Sequence, residues 1–154
     1  MKRLQKICFV LMLITFPSVH AGSCFGKPGD FDDCLTKAKQ GNARAQYSLG
    51  WIYRGNKDIP SDVTKDYAES VKWYRKAAEQ GHAQAQAWLG VMYDLGWGVN
   101  RDYKEAINLY RKAAYQDNVL GQLRLASLYS EGKGVIKNLK EAEKWYLRSA
   151  SHDG

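Results

Sequence analysis

Few side chains in this 154-residue chain could do covalent chemistry, and their spacing argues against most of it. Ser130-Glu131-Gly132-Lys133 matches S-x-x-K, a pattern in which a lysine one helical turn away activates a serine nucleophile. Here Gly132 puts a turn between the two residues and no K-T-G follows, so the match is accidental. Beyond a leader at residues 1–21, the histidines are His82 and His152, each at a turn, with no second ligand at metal spacing. The three cysteines are Cys8, Cys24 and Cys34. If the last two pair with each other, no Cys/His dyad is left. The expectation is no catalytic residue, no metal and no cofactor.

The leader decides how the cysteines are read. Lys2, Arg3 and Lys6 precede the apolar run Ile7 to Phe16, and Val19-His20-Ala21 offers small residues for cleavage, so residues 1–21 read as a secretory signal cut at about Ala21/Gly22. The run is about half the roughly 20 residues that a spanning helix needs, and Pro17 follows it, so no stable membrane span is expected. Export to the periplasm or to the outside follows. In that oxidising setting Cys24 and Cys34 read as a disulfide closing a short loop, a link of roughly 2 to 3 kcal/mol where geometry permits. Lipidation of Cys24 is the competing reading. Against it, no leucine stands three positions before Cys24, and Cys34 would be stranded.

Removing the leader leaves 133 residues, enough for one domain with its own core. It also removes three of 23 basic residues and no acidic ones, so the formal charge falls from +7 to +4. That mild excess comes with neither an aromatic-flanked RNA box nor a zinc-finger spacing, so nucleic acid is not expected as a partner.

The dominant feature is repetition. Trp73-Tyr74-Arg75-Lys76-Ala77-Ala78 returns as Leu109-Tyr110-Arg111-Lys112-Ala113-Ala114 and as Trp145-Tyr146-Leu147-Arg148-Ser149-Ala150, each 36 residues on. Ala45, Leu49 and Tyr53 recur as Ala85, Leu89 and Tyr93, then as Gly121, Leu125 and Tyr129, with steps of 40 and 36. The four extra residues of the first copy therefore lie between Tyr53 and Asp66, in a polar stretch containing Pro60. Ala85, Trp88, Leu89, Met92 and Tyr93 share one face of a helix, as do Tyr103, Ile107, Tyr110 and Ala114, so each copy is a helical hairpin. A lone hairpin cannot bury both stripes. Consecutive hairpins must stack.

Punctuation agrees. Asp66, Asp102 and Asn138 each stand three residues before a glutamate, the pattern of a reciprocal capping box. Gly41, Gly81 and the Asp117-Asn118 pair supply residues able to close a helix in the left-handed conformation. Asp30 to Gln40 reads as a lone second helix capping the stack, with Asp30 and Asp33 at its start. The predicted organisation is a leader at 1–21, a stapled cap at 22–40, and repeats at 41–80, 81–116 and 117–152 within 41–154.

Gly96-Trp97-Gly98-Val99 and Gly132-Lys133-Gly134-Val135 join the helices of the second and third hairpins. With A-x-x-x-L-G-x-x-Y before this G-x-G-V turn and W-Y-R-K-A-A after it, residues 41 to 152 resemble the Sel-1-like repeat family, relatives of the tetratricopeptide repeats. The resemblance implies an all-α, right-handed α–α superhelix of three hairpins that binds a protein partner on its concave side. A cysteine-rich branch of that family, from Helicobacter, is associated with penicillin binding and β-lactamase activity, which makes such a hydrolase the alternative. Its cysteine pair within each repeat is missing here.

Repeated positions serve stacking, so the recurring tyrosines Tyr53, Tyr93, Tyr129, Tyr74, Tyr110 and Tyr146 are assigned to the core, and Gly50, Gly90 and Ala126 to close packing. Positions where the copies differ are free to recognise something. In the first helices, which line the inner curve of related solenoids, these are Arg44, Tyr47, Trp51 and Arg54; Gln84, Ala87, Val91 and Asp94; and Leu123, Ser127 and Ser130. Tyr47, Trp51 and Arg54 are of the types that dominate interface energetics. Trp51 packed against the cap is the competing reading. Trp97 is expected over its own hairpin, and Lys72, Arg75, Lys76, Lys104, Arg111, Lys112, Lys140, Lys144 and Arg148 on a solvated outer face. Nothing like the cap follows Ala150, so the last helix is expected to leave an apolar face open for self-association or docking.

Overall fold

The structure, a computed structural model, describes residues 30–55 and 63–151. The leader, Cys24, most of the first copy's long loop, and His152 lie outside the described residues. Seven α-helices follow one another: α1 (Asp30–Lys39), α2 (Ala43–Tyr53), α3 (Tyr67–Glu79), α4 (Ala83–Leu95), α5 (Tyr103–Tyr115), α6 (Val119–Glu131) and α7 (Leu139–Ala150). No strand occurs among the described residues. Three hairpins, α2–α3, α4–α5 and α6–α7, stack behind α1 as an all-α solenoid.

Helix ends are set by a few polar groups. Gly41, Gly81 and Asp117 take positive φ of 95°, 84° and 58°, which turns the chain from each second helix into the next first helix. There the amides of Asn42, His82 and Asn118 reach back to the carbonyls of Lys37, Ala77 and Ala113 at 3.0 to 3.1 Å. At the start of the second helices the capping is one-sided instead of reciprocal. Asp66, Asp102 and Asn138 accept from the amides of Glu69, Glu105 and Glu141, but their own amides donate to the carbonyls of Tyr53, Tyr93 and Tyr129 at 2.8 to 3.0 Å. The hairpin closure has taken the donor that a reciprocal box would use. Glu69 and Glu141 bond Lys72 and Lys144 instead.

Within the first two hairpins a tyrosine lies against a missing side chain. A Cβ on Gly50 would stand 2.5 Å from the Tyr74 ring, and one on Gly90 would stand 2.7 Å from that of Tyr110. The same rings are roofed by the following hairpin: Tyr74 clusters with Ala85, Leu89 and Met92, and Tyr110 with Leu125, Ala126 and Leu128. Both tyrosines are 0 % exposed. Tyr146, expected in the core, is 43 % exposed, since among the described residues no further helix covers it as α4 and α6 cover Tyr74 and Tyr110. Tyr53, Tyr93 and Tyr129 are half-buried.

Cys34 and Ala38 of α1 pack on Ala45, Leu49 and Ile52 of α2. The layers differ in spacing. The backbones of α2 and α4, and of α4 and α6, come close together, whereas α3, α5 and α7 meet through side chains alone, as where Tyr115 packs edge-on against Trp145. First helices therefore line the closer-packed, inner side.

Gly90→Ala tests the tyrosine seat. Alanine in an exposed helix would stabilise by about 1 kcal/mol. Here the added methyl meets a ring with nowhere to go, and overpacking should cost about 1 to 3 kcal/mol, read as a lower urea midpoint. A raised midpoint would contradict the seat.

Candidate partner-binding surface

The inner surface is built on the stripe Arg44, Tyr47, Trp51 and Arg54 along α2 and its carboxyl end, with their counterparts on α4 and α6. Tyr47 and Trp51 are half-buried, and both pack on the cluster around Tyr74 and Leu89 between the first two repeats. Trp51 thus does not belong to the cluster formed with the cap. The Tyr47 ring stacks on His82, with centroids 4.9 Å apart and planes at 20°. The Arg54 guanidinium lies over Trp88, 3.7 Å from the ring centroid. Such a cation–ring contact fixes a long side chain that solvent would otherwise leave free.

On α4 the expectation holds less well. Ala87 and Val91 are buried in the stack, so they cannot meet a partner. The reason is volume: where repeat 1 has Tyr47 and Trp51 leaning out, repeat 2 has small side chains that the neighbouring helices cover. Gln84 is exposed. Asp94 is half-buried and accepts from the Tyr110 hydroxyl at 3.2 Å, while burial, reinforced by the Asp94 carboxylate, pushes the Tyr110 phenol well up. On α6, Leu123 is exposed, and the half-buried Ser127 donates to Glu131 at 2.6 Å. The geometry thus gathers Arg44, Tyr47, Trp51 and Arg54 at one end of the inner face and scatters the remaining candidates.

Three groups of functional or supporting residues were not read from the sequence. Trp88 is the platform under Arg54. Gln46, Gln86 and Gln122 are buried and donate to the carbonyls of Ala38, Ala78 and Ala114 at 3.0, 3.2 and 3.3 Å, each tying a first helix to the end of the preceding second helix. Gln80 and Gln116 donate in turn to the Gln46 and Gln86 oxygens at 2.7 and 2.8 Å. The Gln122 oxygen is buried and without a partner among the described residues. These glutamines recur at the same steps of 40 and 36 as the apolar positions, and that recurrence was the available signal. Third, Arg75 and Arg111 donate to the hydroxyls of Tyr93 and Tyr129 at 2.9 and 3.2 Å, so they link successive hairpins as well as facing solvent. Trp97 stacks on Tyr67 at 4.9 Å, against the preceding hairpin and not its own.

The local chemistry does not favour a serine nucleophile. Ser130 donates to the Ser127 carbonyl at 2.8 Å, and Lys133 pairs with Glu131 at 2.5 Å. That hydrogen bond holds the ammonium above its ordinary range, the opposite of what a general base requires. Among the described residues no group of three or more His, Cys, Asp and Glu side chains could hold a metal, and no helix is long and apolar enough to cross a membrane.

His82 caps α4, its Nδ1 accepting from the Ala85 amide at 3.3 Å, in the place where Asn42 and Asn118 cap α2 and α6. Accepting requires a neutral ring. Burial, aided by the Arg44 charge, lowers its pKa below the ordinary 6.5, and the Tyr47 ring covers its face. The unfolded chain therefore binds the proton first, and stability present above pH 6.5 is lost as pH falls through the lower folded value. His82→Asn, which caps without titrating, should reduce the acid loss between pH 7 and 5 by an amount on the order of one cap, about 1 kcal/mol. Identical pH profiles for the two proteins would refute this role.

Comparisons place the fold. The chain is similar to a Sel1 repeat protein from Oxalobacter formigenes, with 31 % identity and a TM-score of 0.75 over 87 % of this chain and 98 % of that one. It is also similar to c5321, a protective antigen present in uropathogenic Escherichia coli strains and displaying an SLR fold, with 38 % identity and a TM-score of 0.74. That match covers 81 % of this chain and spans only 26 % of the other. Helicobacter pylori cysteine rich protein B, at 23 % identity and a TM-score of 0.60 over 81 % of this chain and 90 % of that one, shares the fold. No curated protein matches. The Sel1 repeat model matches residues 43–82, 83–118 and 119–153, one copy per hairpin. The chain therefore belongs to the Sel1 repeat family, whose members generally act as scaffolds for protein–protein interaction.

Proposed function

We propose that this protein is an exported scaffold that binds a protein partner on the inner surface of its solenoid, chiefly through Tyr47, Trp51 and Arg54. The observation that carries the reading is the α2 stripe: two half-buried aromatics and a guanidinium held on Trp88, at positions where the repeats differ from one another. A surface fixed by the stack loses little ordering entropy on binding, so its contacts convert efficiently into affinity. The leader at residues 1–21 supports export, to the periplasm or beyond. Pairing of Cys24 with Cys34 belongs to the same proposal, since Cys34 is buried on α1 beside the Ala45 carbonyl, where a staple would fasten the cap. The hydrolase alternative has little support, because the one nucleophile pattern is held in an inactive arrangement.

A photocrosslinker at position 47 in the exported protein should capture a discrete partner, and Trp51→Ala should weaken that capture by about tenfold or more, a typical hot-spot loss, with unchanged helical circular dichroism. Lost helicity in the variant would instead make Trp51 a structural residue.

The far end supports a second contact. Tyr115, Tyr146 and Leu147 are 63 %, 43 % and 65 % exposed where a further hairpin would otherwise stack. Self-association through this end predicts a mass above one chain by light scattering at high concentration, reduced to one chain by Leu147→Glu. A single-chain mass for the unaltered protein would count against it.

A further inference from the structure

The repeats provide an internal comparison of the same inner-face position. Asp94 and Arg54 are equivalents, each one residue after the repeated tyrosine at the end of a first helix. In the second repeat the Asp94 carboxylate accepts from the Tyr110 hydroxyl at 3.2 Å. The equivalent hydroxyl in the first repeat, that of Tyr74, is buried with the Arg54 guanidinium as its charged neighbour. At this position the first repeat presents a cation where the second presents an anion. Helix α2 contains no Asp or Glu. Arg44 and Arg54 bracket the two rings of the stripe, and the Arg44 charge is felt at His82 beneath Tyr47.

We propose that the amino-terminal half of the inner surface binds an extended acidic segment of the partner protein, with carboxylates against Arg44 and Arg54 and apolar side chains over Tyr47 and Trp51. This rests on the reading of the inner surface as the partner site. The two arginines are ten residues apart on one helix face, roughly 15 Å along its axis at the α-helical rise. An extended peptide advances about 3.3 Å per residue, so the two carboxylates belong about four to five residues apart. Asp94 repels acidic chain further along, which confines the segment to the α2 end and fixes its register.

The probe is a labelled ten-residue peptide with two glutamates four residues apart and valines between them, compared with versions carrying glutamine or lysine at both places. Anisotropy titration of the mature protein should show the glutamate peptide binding about tenfold or more tighter than the glutamine one, as expected for charge-assisted contacts, with the lysine peptide weakest. Arg44→Gln, an exposed change that leaves the core alone, should remove most of the preference, and Arg44→Gln with Arg54→Gln all of it. Arg75→Gln on the opposite layer should leave it intact. Equal binding of the three peptides, no binding of any, or a preference that survives the double variant would overturn the proposal. Crosslinking from position 47 separates the two readings: capture of a partner segment without acidic residues would sink this inference alone, and absence of any capture would sink both.

Discussion

The contact on which the solenoid depends is an aromatic ring lying where a Cβ would be. Tyr74 on Gly50 and Tyr110 on Gly90 hold the two helices of a hairpin closer than side chains on both would permit. Each ring then forms the floor on which the next first helix settles, so one residue sets the geometry inside a hairpin and between hairpins. Because the rings are completely buried, their cost in polar desolvation has to be met, and the two repeats meet it differently: the second through Asp94, the first by setting Arg54 nearby. That difference is the origin of the charge asymmetry along the inner face.

Polar groups then fix the register that apolar stacking alone would leave loose. Side-chain amides of Gln46, Gln86 and Gln122 take the carbonyls at the ends of preceding second helices, and arginines of the second helices reach the tyrosines of the following hairpin. Buried hydrogen bonds of this kind tolerate little displacement, because a half-made network strands polar atoms in a low dielectric. The inner surface inherits that rigidity. Tyr47 is pinned between His82 and Tyr74, and Arg54 is laid over Trp88, before any partner arrives.

The two ends of the stack are unequal. At the amino-terminal end α1 supplies half a hairpin and covers Leu49 and Ile52. At the other, Tyr146 and Leu147 face outward, and among the described residues the buried Gln122 oxygen has no donor like those that Gln80 and Gln116 supply to its equivalents.

The sequence by itself determined the hairpins, their number, their turns and the residues that stack, because these depend on period, capping chemistry and the positive-φ residues Gly41, Gly81 and Asp117, all local properties. It also marked the α2 stripe, since disagreement between copies can be read without coordinates. It misjudged Ala87 and Val91, which vary but are buried, and Tyr146, which repeats but is exposed. Variation records what stacking permits, while exposure depends on the neighbour across the interface. Only the tertiary structure decided that His82 is a cap under Tyr47, that Trp97 lies on the previous hairpin, and that Arg54 and Trp88 meet. Those contacts join residues far apart in the chain. They exist because stacking brings successive first helices side by side, a distance that no local pattern encodes.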